Sequence, residues 1–440
     1  MRIDTLTIKN FKKYAEQTFE LNPRFNLLIG DNGSGKTTIL DALAVAAGVW
    51  LLDVPDPQIS NSQCNLSPLD VRQEPRQEGD RVQFHPQLPV AVSAKGIICE
   101  TSCEWVRVLE KAKTKDKSGG VKALIRQCYQ RAASGEQVLL PIIAYYGAGR
   151  AWLPSYQRSG PKKGTANLFA RRWAAFYDCL NERLRLPDIK AWFKNEAVER
   201  LDRNGRWRPG FHAVCWALRQ CVPGLSELGF NFNEEQMVIN IRNQSQLFDH
   251  LSAGQRMMVA LVADIAIKMV TQNVHLIPAE DTDYADDTPP PVLRETPGLV
   301  LIDELDVHLH PSWQREIVSA LKRAFPSIQF VCTTHSPQLI GELQTDEIIL
   351  LSDTGLPRQP TRSFGLDANH VLNEIMGAPL RNATFNRELE TLFSLIENGD
   401  LDGATQQKEA IARWLGRGDD PELLRAETLI SFLGTPLTEG

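Results

Sequence analysis

Long hydrophobic runs are missing from this sequence. No stretch of apolar residues approaches the roughly 18 that a membrane-spanning helix needs, although apolar residues make up 42% of the 440 positions. The N-terminal segment MRIDTLTIKNFKKY alternates apolar and polar residues and lacks the apolar core of a secretion signal. We therefore expect a soluble, cytoplasmic protein that does not contact a membrane, with one large domain plus an insertion or two to three smaller domains.

Metal-binding cysteine arrangements are missing as well. The chain has eight cysteines, but none forms a C-x-x-C pair and no two pairs have the spacing of a zinc site. The sequence thus argues against a structural zinc ion. We expect all eight thiols to be reduced, as is usual in a cytosolic protein.

An overall excess of positive charge is the third absence. The net charge of −6 argues against binding of nucleic acid along the whole chain. Two segments depart from this balance: residues 107–131 hold eight Lys or Arg against Glu110 and Asp116, and residues 150–172 hold six with no acid. These two basic islands indicate either a surface for phosphate groups or an acidic partner, or simply a solvated loop and a solvated helix face.

A phosphate-binding loop is the first chemical motif. Gly30 to Thr37 (GDNGSGKT) matches G-x-x-x-x-G-K-T, follows an apolar run over 25–29 and precedes a predicted helix. The glycines let the backbone N–H groups curl around phosphate oxygens, while Lys36 reaches the β- and γ-phosphates and the Thr37 hydroxyl ligates Mg²⁺. The predicted ATP-binding residues are Gly30, Asn32, Gly33, Ser34, Gly35, Lys36, Thr37 and Thr38.

The stretch LVLIDELDVHLHPS, residues 299–312, supplies a second motif. Its apolar beginning predicts a strand buried on both faces, from whose carboxyl end Asp303 emerges to hold Mg²⁺ together with Thr37. Glu304 is then placed as the base that polarises the attacking water. The alternative is a metal cage formed by this cluster: Asp303, Glu304, Asp306, His308 and His310. We set the cage aside because water and phosphate oxygens complete the shell of Mg²⁺, and we expect His310 to mark the entry to the next helix.

Two more motifs follow the same logic. A predicted strand ends in Thr-His-Ser and brings His335 to the edge where Asp303 lies, within reach of a γ-phosphate. The segment LSAGQ, residues 251–255, precedes apolar residues at helical spacing, so Ser252 falls near a helix N-terminus, which is an anion-binding position.

In their order along the chain, the four motifs resemble those of ABC-type ATPase heads of the SMC, RecF and OLD kind, with Ala253 where the signature L-S-G-G-Q has its first glycine. The likeness covers roughly residues 1–45 and 245–355. It implies an α/β fold: a P-loop NTPase head with a mixed central sheet and flanking helices, an α-rich insertion between Walker A and the signature, and a helical C-terminal tail.

The same resemblance implies roles for individual residues. Lys36, Glu304 and His335 would be catalytic, and Asp306 would lie in the D-loop, which faces a second head. The signature residues would cap the ATP of that second head in a head-to-tail dimer or higher oligomer: Ser252, Gly254 and Gln255.

Several further side chains are open candidates. Lys12 and Tyr14, in the loop of the predicted N-terminal hairpin, and Arg150 are candidates for contacts with adenine or phosphate, although an ordinary surface loop explains Lys12 and Tyr14 equally well. Gln83 and Gln87 are candidates for the Q-loop glutamine, without supporting context.

The spacing of the motifs divides the predicted domains. Walker A and the signature lie 216 positions apart, from Lys36 to Ser252, which is longer than the lid of a transporter ATPase, and no sustained heptads indicate a coiled-coil arm. We predict an ATPase head from 1–45 and 245–360, an inserted subdomain with the basic islands at 46–244, and a helical region at 361–440.

Two segments refine the resemblance. LPIIAYYGAGRAW (140–152) and RSFGLDANHVLNEIMG (362–377) are similar to segments of the PtuA-like ATPases of Septu systems and some retrons. This implies an antiphage ATPase with ATP and Mg²⁺ as cofactors, slow turnover and no nuclease activity of its own. The implied partners are an HNH nuclease, a reverse transcriptase or retron RNA, and nucleic acid. The alternatives are a RecF-like repair ATPase that binds DNA without a nuclease and an ATP-bound scaffold that restrains a toxin.

Overall fold

The computed structural model describes residues 1–56, 59, 65–111, 114–116, 118–151, 172–279, 284, 287–379, 381–416 and 419–434. The chain forms two compact units, Met1–Asp367 and Ala368–Gly440. No helix in this described part is long and apolar enough to cross a bilayer.

A six-stranded sheet forms the centre of the first unit. Its first five strands run parallel to one another and the sixth is antiparallel. All residues of those five strands are buried, as expected for strands covered on both faces. In spatial order the strands are β9 (Ile142–Tyr146), β13 (Gly298–Ile302), β14 (Ile328–Thr333), β3 (Phe25–Ile29), β15 (Ile348–Leu351) and β16 (Pro357–Arg358).

An antiparallel five-stranded sheet accompanies it, and two smaller sheets complete the β-structure. The five-stranded sheet has the spatial order β2 (Tyr14–Glu20), β1 (Arg2–Phe11), β6 (Val90–Ile98), β7 (Thr101–Leu109) and β8 (Thr114–Asp116). The smaller sheets are β4 (Gln73–Glu78) with β5 (Arg81–Pro86), and β10 (Leu225–Asn231), β11 (Gln236–Ile241) and β12 (Gln244–Leu247).

Helices flank these sheets in the first unit. The two that matter for the site are α1, which begins at Lys36, and α5, whose apolar residues are buried along most of its length. The helices are α1 (Lys36–Ala47), α2 (Gly119–Ala133), α3 (Leu186–Asp202), α4 (Pro209–Cys221), α5 (Ala253–Gln272), α6 (Pro291–Glu295), α7 (Pro311–Ala324) and α8 (Pro337–Ile340).

The segment at 46–244 differs from the predicted inserted subdomain. β6 and β7 pair into the same sheet as β1, and β9 pairs with β13, which is the Walker B strand that leads into Asp303 and Glu304. The segment also carries strands β4 to β11 besides helices α2 to α4. Backbone hydrogen bonding between distant segments therefore makes residues 90–109 and 142–146 parts of the head.

The second unit is helical, which confirms the predicted helical C-terminal region. It has its own apolar core, formed around Leu392 and Ala404, and Asn382 and Asp400 cap the first turns of two of its helices. Its helices are α9 (Ala368–His370) running into a π-helical turn (Val371–Ile375), α10 (Ala383–Glu397), α11 (Leu401–Leu415) and α12 (Pro421–Gly434).

Two of the cysteines lie side by side in the fold. The sulfur atoms of Cys99, in the turn after β6, and Cys128, on α2, are in direct contact, although the two residues are 29 positions apart. Cys64 lies outside the described residues. The other cysteines are free: Cys103, Cys179, Cys215, Cys221 and Cys332.

Candidate nucleotide site

The carboxyl ends of three neighbouring parallel strands meet at one edge of the central sheet. β14 lies between β3 and β13, so the P-loop after β3, the Thr-His-Ser segment after β14 and Asp303 after β13 converge there. Ligands bind at this edge in open α/β sheets. The convergence is the one predicted from the three apolar runs.

The P-loop has the backbone that phosphate binding requires. Gly33 and Gly35 have φ values of 82° and 104°, in the left-handed region that side-chain-bearing residues avoid. The Lys36 Nζ donates hydrogen bonds to the carbonyl oxygens of Gly30 and Asp31, at 2.7 and 3.1 Å. Burial lowers the pKa of Lys36, and nearby carboxylates partly offset the shift. The lysine is thus held at the loop.

Tyr14 packs against the P-loop, so its ring is not available for the adenine contact for which it was a candidate. Its ring is only 4% exposed, so neither face is free to stack on a base. Its hydroxyl donates to the Ser34 carbonyl at 3.3 Å, and a Cβ on Gly35 would lie 2.5 Å from the hydroxyl oxygen. A glycine is therefore needed at position 35 for two reasons, its φ and this close approach.

The Lys12 side chain contacts acidic side chains of the protein itself. Its Nζ lies 2.5 Å from an Asp41 carboxylate oxygen on α1 and 3.8 Å from Asp70. The neighbouring Lys13, which sequence reasoning missed, donates to the Gly33 carbonyl at 2.7 Å. Its position in the basic run KNFKKY was the available signal, but the run did not indicate which lysine faces the loop.

The predicted metal ligands are adjacent. The Thr37 hydroxyl donates to one oxygen of Asp303 at 3.0 Å, and the Thr333 hydroxyl donates to the other at 2.6 Å. A hydroxyl and a carboxylate oxygen are ligands that Mg²⁺ accepts, with water and phosphate completing its shell. The cradle also fits a phosphate, since the buried Ser34 hydroxyl oxygen has no partner among the described atoms.

Glu304 follows Asp303 in an unusual backbone conformation. Its φ of 52° is left-handed, which costs a non-glycine residue roughly 1–3 kcal/mol. Its N–H donates to the Thr333 hydroxyl at 2.7 Å. This conformation marks the predicted base as a position that the surrounding structure holds in place.

Asp306 is linked to the Thr-His-Ser turn that follows β14. The Asp306 carboxylate accepts from the Thr334 hydroxyl at 2.6 Å and from the N–H of His335 at 3.4 Å. The His335 side chain is exposed, at the edge where it was predicted.

Arg150 does not present its charge to a nucleotide, which corrects its candidacy as a phosphate contact. It is 5% exposed and lies in a short 3-10 helix, Ala148–Ala151, after β9. Its guanidinium donates to the carbonyl oxygens of Asp303, Glu304 and Gly147. Burial lowers the pKa of Arg150, and neighbouring anions oppose that shift.

The signature segment begins α5 as predicted. The Ser252 hydroxyl accepts from the N–H of Gln255 at 3.3 Å, and the Gln255 side chain accepts from the N–H of Ser252 at 3.1 Å, which is a capping box. A Cβ on Gly254 would lie 2.3 Å from the His308 carbonyl oxygen. Gly254 is therefore required by close packing within the chain.

His310 has the structural role predicted for it. It caps α7, its Nδ1 accepting from the N–H of Ser312 at 3.3 Å, and Pro311 is the first helical residue. No group of three or more acidic, His or Cys side chains suited to a metal ion occurs in the described ranges.

Three arginines of the basic islands have partners among the described residues. Arg107 is fully buried and donates to the Val45 carbonyl, and Arg126 pairs with Asp53. Arg172 donates to main-chain carbonyls, including that of Gln272 at 2.9 Å. The other basic residues of the second island, between 152 and 171, lie outside the described residues.

The two glutamine candidates are not brought to this edge. Gln83 lies on β5, paired with β4, and the Gln87 side chain donates to the His85 carbonyl at 3.1 Å. Both belong to the two-stranded hairpin or the segment that follows it.

Two family models match the parts of the chain that contain these residues. A family model described as an AAA domain matches residues 5–159, and a second, described as an AAA domain, putative AbiEii toxin, Type IV TA system, matches residues 284–341. The first contains the P-loop and the second contains Asp303, Glu304 and His335.

Curated relatives carry names from two kinds of system. The Septu protein PtuA of Bacillus mycoides (strain KBAB4) is 35% identical over 79% of this chain and 40% of its own length. The retron Vc95 probable ATPase of Vibrio cholerae serotype O1 biovar El Tor is 24% identical over 91% of this chain and 85% of its own length. The retron Ec83 probable ATPase of Escherichia coli is 33% identical over 37% of this chain and 28% of its own length. The chain thus spans less than half the length of the first and third of these relatives.

Among solved structures, an SMC head bound to the C-winged helix domain of ScpA is 14% identical, with a TM-score of 0.43. The match covers 82% of this chain and 97% of that one.

Proposed function

We propose that this chain, an SMC/RecF-like P-loop ATPase related in sequence to Septu PtuA and retron ATPases, is the ATP-hydrolysing subunit of an antiphage defence complex. Two copies pair head to tail through ATP and control a separate HNH-type nuclease. The pairing, the nuclease partner, the slow turnover and the assignment of each site residue are parts of this proposal.

One observation carries the enzymatic part. Thr37 and Asp303 are 266 positions apart, yet the hydroxyl of one lies 3.0 Å from the carboxylate of the other. This is the contact that a shared Mg²⁺ requires, and Glu304 follows directly at the end of the same strand. When bound with ATP, Mg²⁺ would neutralise charge on the phosphates. Lys36 and the P-loop amides would bind the phosphates, and Glu304 would accept the proton of the attacking water.

The position of the signature supports pairing with a second copy. The contacts that the described residues give Ser252, Gly254 and Gln255 lie within the signature and with the His308 turn, and none reaches residues 30–37. The hydrogen bonds of Ser252 and Gln255 are those of the capping box, and the helix N-terminus that they begin carries the partial positive charge that attracts an anion. An ATP held by a second head supplies that anion.

Two substitutions test the assigned chemistry. Lys36→Ala removes the charge at the phosphates and should abolish ATP binding. Glu304→Gln keeps the size of the side chain but removes the base, so it should bind ATP normally and lower kcat by about a hundredfold or more. Both are measured by titration with a fluorescent ATP analogue and by phosphate release.

The matched control is Glu316→Gln, an exposed glutamate on α7, which should keep the parental rate. Hydrolysis by Glu304→Gln at the parental rate would show that the base is another residue.

The partner is tested separately. The genes that flank the one for this chain are searched for an HNH protein, the two proteins are co-expressed, and DNA cleavage by the purified complex is measured with and without ATP. ATP-dependent cleavage by the complex supports the proposal. ATP-dependent DNA binding by the ATPase alone, with no nuclease recovered, would favour the RecF-like alternative instead.

A further inference from the structure

The backbone of Glu304 is held from two sides. In the peptide group between Asp303 and Glu304, the carbonyl oxygen accepts from the Arg150 guanidinium. The N–H of the same group donates to the Thr333 hydroxyl at 2.7 Å. In the peptide group between Glu304 and Leu305, the carbonyl oxygen accepts from the Arg150 guanidinium at 2.8 Å, and the N–H donates to the Thr333 carbonyl at 2.9 Å. Both peptide planes that flank the Glu304 Cα are therefore fixed.

Fixing both planes fixes the direction of the side chain. The torsion φ relates the first peptide plane to the Cα, and ψ relates the second, so together they determine where the Cα–Cβ bond points. At Glu304 this matters more than usual, because a φ of 52° is unfavourable for a glutamate. Without external hydrogen bonds, the turn would relax and the carboxylate would point elsewhere.

Arg150 is suited to this task by its shape and by its position. A guanidinium presents several N–H donors in one rigid plane, so one side chain can hold two successive carbonyls at a set spacing. A third bond, to the Gly147 carbonyl at 3.1 Å, ties the side chain to its own loop after β9. Since β9 pairs with β13, the arginine approaches the turn from the adjacent strand.

We propose that Arg150 is a positioning residue for ATP hydrolysis: its guanidinium holds the two carbonyls around Glu304, keeps the turn left-handed and so aims the carboxylate. This role rests on the proposed function of Glu304 as the base. Arg150 acts through Glu304 and touches neither nucleotide nor metal.

The test uses the full chain with Arg150→Lys and Arg150→Gln. A lysine keeps the charge but loses the planar fork, and a glutamine keeps a donor but loses the charge. Both should lower kcat by about tenfold to a hundredfold, the loss that a misplacement of about 1 Å causes, while the Kd for ATP changes by less than about threefold. The expected split is a loss in kcat with binding retained.

A matched control separates this effect from general stability. Arg172 also donates its guanidinium to main-chain carbonyls, those of Gln272 and Val138, but far along the chain from the Walker B turn. Arg172→Lys should lower the Tm without changing kcat by more than about twofold.

Combination with Glu304→Gln gives the decisive readout. If Arg150 acts only by aiming that carboxylate, Arg150→Lys should cost nothing further once the carboxylate is gone. A parental kcat in Arg150→Lys, a loss of ATP binding in that variant, or a further loss in the Glu304→Gln background would each overturn the inference. Parental turnover by Glu304→Gln alone would instead overturn the proposed function.

Discussion

At the carboxyl end of β14, the Thr333 hydroxyl makes two hydrogen bonds at once. It donates to Asp303 at 2.6 Å and accepts from the N–H of Glu304 at 2.7 Å. A single buried hydroxyl thus orients the proposed metal ligand and the proposed base together. Its removal affects both without altering the volume of the side chain.

Thr333→Val should therefore reduce both stability and turnover. Valine has a similar shape but leaves a buried N–H and a carboxylate oxygen without their partner, which costs about 1–3 kcal/mol. The Tm and kcat should both fall. They are measured by thermal unfolding and phosphate release.

The control is another buried threonine with two partners. The Thr296 hydroxyl donates to the Val292 carbonyl at 2.6 Å and accepts from Asn273 at 3.1 Å, away from the site. Thr296→Val should lower the Tm alone. If both valine variants kept parental turnover, Thr333 would have no part in catalysis.

The sequence predicted residues at this scale unevenly. The positions of Asp303 and Glu304 could be predicted because a carboxylate directly after a buried apolar strand must emerge at the strand's end. Tyr14 and Arg150 could be named only as candidates for adenine or phosphate contacts, because the direction of each side chain is set by residues far along the chain. The ring of Tyr14 packs under Gly35, and the guanidinium of Arg150 meets carbonyls 153 and 154 positions away.

The first turn of α5 must pack tightly against the turn that follows Walker B. Gly254 is the second residue of the helix, and a Cβ there would meet the His308 carbonyl oxygen at 2.3 Å. Neither atom is the end of a flexible side chain, and His308 itself has a φ of 63°. The glycine thus couples the position of the signature to that of the D-loop segment.

Gly254→Ala should shift the start of α5, with a loss of roughly 1–3 kcal/mol from overpacking and a lower kcat. ATP binding by the single head should persist, since the P-loop is untouched. Thermal unfolding, nucleotide titration and phosphate release test these three outcomes.

Gly210→Ala is the matched variant. Gly210 is likewise the second residue of its helix, α4, but a Cβ there would lie 3.4 Å from the nearest atom, a methyl group of Ile277. It should leave turnover unchanged and leave stability equal or raise it by up to about 1 kcal/mol. Equal effects of both alanines would mean that the close approach at Gly254 is not what matters.

The sequence predicted which segments form strands better than it predicted which strands pair with one another. The apolar runs that became β3, β13 and β14 are buried strands by composition, and the order of the motifs places them side by side. The membership of β6, β7 and β9 in the two large sheets was missed. Strand pairing depends on hydrogen bonds between segments far apart, and neither the composition nor the periodicity of a single strand specifies its neighbour.

At the scale of the whole molecule, the proposed head-to-tail pair divides each catalytic site between two chains. The P-loop, Asp303 and Glu304 come together within one chain, whereas Ser252 starts α5 without a contact to that P-loop in the described residues. Substitutions therefore fall into two classes, those that damage the site of their own chain and those that damage the site of the partner. The two classes behave differently when variants are mixed.

Lys36→Ala and Ser252→Arg should each be inactive alone but recover activity together. In a mixed pair, the chain with Ser252→Arg still binds ATP, and the intact signature of the Lys36→Ala chain caps it. Random pairing of equal amounts makes about half of the pairs mixed, each with one competent site of two, so about one quarter of the parental rate should return. Phosphate release from the mixture, compared with each variant alone, measures this recovery.

A mixture of Lys36→Ala with Glu304→Gln is the control, because it should stay inactive. Lys36 and Glu304 serve the same ATP within one chain, so every mixed pair has one site without the lysine and one without the base. Recovery in the Ser252→Arg mixture but not in this one identifies a shared site with Ser252 contributed in trans. Failure of both mixtures, with ATP binding by Ser252→Arg intact, would mean that the signature acts within its own chain or not at all.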